Sequence, residues 1–519
     1  MSVQQESASF PSAPVTSPTV AGPAVFAGAV VVVGEKFPAV EIEYRALAVQ
    51  ADGTIAKVVS CSKDASSMDQ AIDACKAALA SGTSVAVYRL SDTQLLLPGF
   101  VDAHIHAPQY AYIGLGTDRP LMGAEGWLES HAFPAERRLA SDLGRAWAVF
   151  GACVGRTLSC GTTTALYFGT QGGEVSGVLA DCCAQAGQRA FVGRVAMDRH
   201  CPENYADVSA DEGIKSSASS LTSIAGRHGP LVQGAITPRF VPTCSRELLR
   251  GLGELAAQHP GVVIQSHVSE SLDEVEFTKF AESDDNARDV AIFDRYGLLR
   301  APSVLAHGVH LLPSELELMS TRGCAVAHCP LSNAFFANGN LDILDVLAKG
   351  CQVCLGTDVA GGYSPSMLNA MRQAVVVSRE LRQSSATDSL SWRGALWLAT
   401  VGGAQALGLG SVCGRLEKGF AFDALLVEAA PKGIGLPPYE ATELVGGEED
   451  GPVLVPDALL ERCLNLGDDR NVVAVFVAGR RVVGTCSIGG NGGVCSGVEN
   501  GAVENGAAAA RDHSRSPRR

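Results

Sequence analysis

LLLPGFVDAHIH, residues 95–106, decides the reading of this chain. An apolar run is interrupted by Pro98-Gly99, resumes, and ends on His104 and His106. Side chains two apart on a strand share a face, so the two imidazoles can point the same way and bind one ion. Taken alone, a His-x-His is more often a pair of surface or core histidines. Seven further apolar runs change the balance: TTTALYFG (162–169), RAFVGRVAMD (189–198), LVQGAITPRF (231–240), VVIQSHVSE (262–270), SVLAHGVH (303–310), CAVAHCP (324–330) and VCLGTD (353–358). Each leads into a loop and, for most, into helical sequence. Strands alternating with helices in this way predict an α/β fold built on a parallel sheet, a (β/α)8 TIM-type barrel.

In such a barrel the site lies where the strands end. His104, His106, Arg239, His267, Glu270, His307, His328 and Asp358 all fall at or just after those ends, on six different strands. His104, His106, His267 and Asp358 offer three nitrogens and one carboxylate, a set that suits zinc or ferrous iron with a position left for water. Glu270 stands where the chain turns off its strand. It can carry protons between that water and a substrate, and it can equally favour the start of a helix through the macrodipole. His307 either hydrogen-bonds the attacking hydroxide or adds a fifth ligand, and His328 either touches substrate or shapes its loop.

With 519 residues, 46% hydrophobic and 18% charged, the chain has room for the barrel and a smaller domain. A net charge of −15 argues against a broad grip on nucleic-acid phosphates and favours a small neutral or cationic substrate. The 16 cysteines are scattered through apolar segments, and the first basic residue is Lys36, so neither a secretory nor a mitochondrial leader is expected. The apolar run 21–34 contains Pro23 and is too short to span a bilayer as a helix. A reduced, cytoplasmic chain without a membrane segment is the expectation.

The organisation expected is a disordered tail over 1–24, half of a small β domain over 25–97, the barrel over 98–408, the other half of the β domain over 409–486, and a second tail over 487–519. The two β halves would pair into one composite β-sandwich. ADGT (51–54) reads as a tight turn. Cys351 and Cys354 are three apart on a strand, which throws their thiols to opposite faces, so they are expected in the core and not as a metal or redox pair.

PGFVDAHIHAPQY (98–110), FPAE (133–136), CGTTTALYF (160–168), TPRF (237–240), IQSHVSE (264–270), AHGVH (306–310), AHCPLSN (327–333), GTDVAGGYSPSMLNAMRQAV (356–375), GGAQALGLG (402–410) and LGDDRN (466–471) follow one another in a characteristic order. In these segments the chain resembles the guanine deaminases of the metal-dependent amidohydrolase superfamily, over most of residues 25 to 485. The resemblance implies hydrolytic deamination of guanine to xanthine and ammonia by a zinc-bound hydroxide, in a homodimer. It implies His104, His106, His267 and Asp358 as zinc ligands, Glu270 as proton shuttle, Asp358 as a second proton acceptor and His307 as a support for the tetrahedral centre. Gln109, Arg239 and Phe240 would form the base pocket, with His106 and His267 also facing the substrate. The chemistry agrees: O6 of guanine suits an arginine donor fork, its plane suits an aromatic ring, and its ring nitrogens suit a carboxamide.

LVQGAITPRF holds no lysine where binuclear superfamily members carry a carbamylated one, so a single zinc per chain is expected. Two other readings compete: an amidohydrolase acting on a pterin, triazine or adenosine-type ring, and a barrel kept as a non-catalytic scaffold. TPRF and Gln109 argue against the first, and the complete ligand set with Glu270 argues against the second. Two segments depart from the family pattern. GTDRPLMGAEGWLES (116–130) is longer than expected and makes Trp127 a candidate pocket residue, although ordinary packing is the preferred role, and VGGEEDGPVLVP (445–456) reads as an extension.

Overall fold

AVFAGAVVVV (24–33) ends in a β-branched run, and such runs favour extended backbone buried between layers. The computed structural model describes residues 22–79, 84–383, 388–429 and 456–484. The N-terminal strands are β1 (Ala24–Val33), β2 (Val40–Val49), β3 (Ile55–Ser60), β4 (Ala86–Arg89) and β5 (Gln94–Pro98). The barrel strands are β6 (Phe100–His106), β7 (Thr162–Phe168), β8 (Arg189–Ala196), β9 (Val232–Pro238), β10 (Val263–Val268), β11 (Ser303–His307), β12 (Ala325–His328) and β13 (Gln352–Leu355). Near the C-terminus follow β14 (Ala424–Glu428), β15 (Val472–Val477) and β16 (Arg480–Val483).

All eight apolar runs singled out in the sequence are therefore strands, and they form one parallel sheet in chain order from β6 to β13. Between its first and last strands the curve is closed by backbone hydrogen bonds: His106 N–H to the Val359 carbonyl at 3.0 Å and Asp358 N–H to the His104 carbonyl at 2.9 Å. Asp102, wholly buried, ties the same seam. Its carboxylate accepts from Thr357 N–H at 3.0 Å, from the Thr357 hydroxyl at 2.5 Å and from His104 N–H at 3.2 Å. Three histidine or aspartate side chains of the site are thus anchored where the barrel closes.

The two ends of the chain meet in a mixed sheet ordered β16-β15-β14-β5-β1-β2-β3, with β4 beside β1. The junction is the antiparallel pair of β14 with β5, Ala424 opposite Pro98 through Glu428 opposite Gln94. The residues 51–54 turn joins β2 to β3, with Gln50 N–H bonded to the Thr54 carbonyl at 2.9 Å. Phe26 stacks on Tyr88 and Phe422, with ring centroids 4.6 and 4.5 Å away, and meets Phe476 edge-on at 5.2 Å.

Gly99 passes the chain from this sheet into the barrel, where a Cβ would collide with Thr163. Arg189, at the start of β8, locks the two parts together through a buried pair with Asp423 at 2.9 and 3.2 Å. Removing one member of such a pair typically costs about 3–5 kcal/mol because the other charge stays buried.

Cys351 and Cys354 are both buried and face different layers, the first bonded to the Leu316 carbonyl at 2.9 Å and the second to the Val326 carbonyl at 3.5 Å. Every cysteine among the described residues is free. No helix among the described residues is long and apolar enough to cross a membrane. Segments 1–21 and 485–519, with most of 445–456, lie outside the described residues.

Candidate active site

Six strand ends deliver the polar side chains that the sequence singled out; four of them converge on one buried cluster, and a fifth brings Arg239 beside it. From β6, His104 and His106 project together, as their spacing requires. Their Nε2 atoms stand 3.2 and 3.4 Å from Asp358 Oδ1, which enters from just beyond β13. From β10, His267 brings its Nε2 to 3.1 Å from that of His106. His307, ending β11, lies 3.6 Å from Glu270 Oε1 and 3.9 Å from Asp358 Oδ2. Ser269, His307 and Asp358 adopt left-handed backbone, with φ of 44°, 70° and 47°. For residues other than glycine this conformation costs about 1–3 kcal/mol each, and it concentrates where side chains must be aimed for function. Here it tips the chain ends over the barrel mouth.

The ring nitrogens are assigned by their partners. Nδ1 of His267 faces the Arg239 carbonyl at 2.7 Å, so it carries the proton and leaves Nε2 with a lone pair toward the cluster. Nδ1 of His307 meets Asn333 Oδ1 at 2.9 Å, with the same consequence. Burial, reinforced by neighbouring histidines, lowers His104, His106 and His267 well below the usual imidazole range. Neutral imidazole is the metal-binding form. Burial, and next the charge of Asp358, raises Glu270 well above the usual carboxylate range.

These residues fit a metal. Ligand atoms of His104, His106 and Asp358 lie within 4.8 Å of one another, as do those of His104, His267 and His307. The buried Nε2 atoms of His104 and His307 lack any hydrogen-bond partner among the described residues, an expensive condition that a cation would relieve. The site's donors, imidazole nitrogen with one carboxylate, suit zinc.

Beside the cluster the pocket is lined by Gln109, Arg239, Phe240 and Glu270. Gln109 is pinned at both ends, accepting from Ala360 N–H at 3.1 Å and donating to Glu136 at 3.0 Å. Arg239 is paired with Glu136 at 2.6 and 3.1 Å and lies 4.6 Å over the Phe133 ring. Trp127 both packs and lines the pocket. It is buried against Phe336, its indole N–H reaches the Leu115 carbonyl at 3.3 Å, and its neighbours Met122 and Leu128 complete that wall. Met122, Leu128 and Phe240 also border an outer cavity of about 800 Å³.

His328 is not brought into the pocket. It is wholly buried on β12, burial lowers it to about 3, and neither ring nitrogen has a partner among the described residues. Conversely, Glu136 stands behind the pocket, bonded to its lining residues Gln109 and Arg239, and the sequence reading assigned it no role. Its only signal was its place in FPAE.

Residues 95–482 match the model of the amidohydrolase family. The chain is 41% identical over 400 residues to the guanine deaminase of Mus musculus, covering 76% of this chain and 85% of that one. To the guanine deaminase of Escherichia coli it is 32% identical over 390 residues, covering 75% and 83%. Among solved structures it resembles the guanine deaminase of C. acetobutylicum with guanine bound in its active site, with a TM-score of 0.75 and 27% identity over 89% of this chain and 100% of that one.

Proposed function

The chain belongs to the amidohydrolase family, among its guanine deaminases, and on that premise we propose that the barrel-mouth cluster hydrolyses guanine to xanthine and ammonia on a single zinc. The observation that carries this reading is the direct junction of base pocket and ligand cluster: His267 is held by the backbone carbonyl of Arg239, the residue whose side chain lines the pocket.

His104, His106, His267 and Asp358 would hold the zinc. When bound, the ion supplies Lewis acidity, drawing the pKa of a coordinated water toward neutrality. Arg239 donates to O6 of the base, Gln109, held on the same Glu136 carboxylate, meets a ring nitrogen, and Phe240 covers its face. Water oxygen bonds to C2 while Glu270 takes one of its protons and passes it to N3. The second proton leaves the new hydroxyl for Asp358 and is relayed by Glu270 to the departing amine. The C2–N2 bond breaks, ammonia leaves, and a carbonyl remains at C2. A carboxyl raised by burial above the ordinary carboxylate range is suited to this double duty, because it holds a proton more readily than an exposed carboxylate and can return it. His307, with Nδ1 committed to Asn333, directs Nε2 at the water.

The lack of a lysine on β9 supports one zinc per chain. A cytoplasmic setting is supported by the free cysteines, and a homodimer completes the proposal from the family resemblance. Ammonia release measured over guanine, adenine, cytosine and a pterin tests the reading. Guanine should be turned over at least a hundredfold faster than any other, and equal or faster turnover of the pterin would overturn the assignment.

A further inference from the structure

We propose that Glu136 is the positioning residue that sets the hydrogen-bond polarity of the base pocket and so makes it selective for a 6-oxopurine. The proposal rests on the reading that Arg239 and Gln109 face the base.

Glu136 is wholly buried in the helix Phe133–Ala140. A carboxylate offers about four acceptor positions, and here all are taken. Oε1 accepts from Gln109 Nε2 at 3.0 Å and from Arg239 Nη2 at 3.1 Å. Oε2 accepts from Arg239 Nη1 at 2.6 Å and from the Tyr205 hydroxyl at 2.7 Å. Phe133, three residues earlier and so on the same helix face, lies under the guanidinium. One turn of helix therefore holds Arg239 by its end and by its flat side.

The consequence for Gln109 is an orientation without ambiguity. A side-chain amide can flip, exchanging donor for acceptor. Glu136 only accepts and Ala360 N–H only donates, so Nε2 must face Glu136 and Oε1 must face Ala360. What Gln109 has left on the nitrogen side is one N–H, a donor for an unprotonated ring nitrogen. The consequence for Arg239 is similar. Its two terminal nitrogens each spend one N–H on Glu136, and every remaining group is a donor. An acceptor such as O6 satisfies that edge, whereas an exocyclic amine would set donor against donor. A base with no group there would leave the edge empty. Buried polar groups left unmatched are what allow a site to reject an analogue strongly. Without the carboxylate, the guanidinium loses its orientation and Gln109 is free to turn.

The test is Glu136→Gln, which keeps the shape but replaces two of the four acceptor positions with donors. Hydrogen bonds to charged groups are worth about ten- to a hundredfold in affinity. KM for guanine should rise by about that factor while kcat stays within a few fold and zinc content is unchanged. Inhibition by 2-aminopurine, which lacks O6, should weaken by a clearly smaller factor. Glu136→Asp, which keeps the charge on a shorter stem, should restore part of the loss, and it is read on the same ratio if Glu136→Gln does not accumulate folded. Arg239→Lys and Gln109→Ala are measured alongside. If neither alters KM, the base-pocket reading itself fails. If both raise KM while the Glu136 variants leave KM unchanged, or weaken guanine and 2-aminopurine equally, the role assigned to Glu136 is overturned.

Discussion

Glu270→Gln separates proton transfer from everything else the pocket does. The substitution keeps the size and the hydrogen-bonding reach of the side chain. It also leaves intact the backbone hydrogen bond that fixes this turn, Glu270 N–H to Glu274 at 2.7 Å. Losing a positioned acid or base costs about 10²- to 10⁴-fold in rate, and the surroundings place this case near the upper limit. The other groups within reach have separate tasks in the proposed mechanism. His307 Nδ1 is tied to Asn333, and Asp358 stands 3.2 and 3.4 Å from His104 and His106. With no substitute for either proton delivery, a loss of about 10⁴-fold in kcat is expected, about 5.5 kcal/mol on the barrier. Ammonia release reads turnover, metal analysis reads zinc, and equilibrium binding of guanine reads the pocket. Zinc and guanine binding should persist. A zinc-replete variant turning over guanine within a few fold of the parent would assign the shuttle to another residue and refute the reasoning.

Two further outcomes follow from the geometry. A Cβ on Gly361 would stand 2.7 Å from Asp358 Oδ2 and 2.6 Å from Ser332 Oγ, so Gly361→Ala should displace the carboxylate and weaken zinc binding by about 10- to 100-fold, as read by competition with a chelator. Glu282 accepts from Arg199 at 2.6 Å and Arg246 at 2.9 Å, and although burial pushes the other way, these hydrogen bonds hold its carboxyl below the ordinary 4.5. A lowered folded value contributes stability that is present above the unfolded value and lost as pH falls through the folded one. Glu282→Gln should therefore flatten the acid side of the stability–pH curve, and an unchanged acid limb in denaturation measurements would count against the pairing.

What was legible in the sequence was whatever is local. Buried parallel strands are continuous apolar runs, so all eight announced themselves, and residues at their ends were placed in the site by the barrel rule alone. The pairing of the chain's two ends was also readable, because β-type runs such as ALLVE (424–428) recur after the helical middle has ended.

Tertiary partners were not readable. Glu136 lies in a short helix between Phe133 and two arginines, a pattern that also describes a solvated helix face. Its burial is created by Arg239, 103 residues further on, and by Tyr205, 69 residues on. His328 shows the converse. Its position at a strand end was correct, yet β12 carries it into the barrel wall outside the pocket. The longer segment 116–130 was visible as added length, but its path over the pocket depends on packing of Trp127 against Phe336 and Tyr112, which no local pattern encodes.

The central claim is one zinc per chain driving guanine deamination. It is tested most directly by stripping the protein with a chelator and following ammonia release from guanine as zinc is returned in measured equivalents. The account predicts that activity is absent at the start, rises linearly and breaks at one equivalent per chain. A break at two equivalents, or guanine turnover that survives complete removal of the metal, would contradict it.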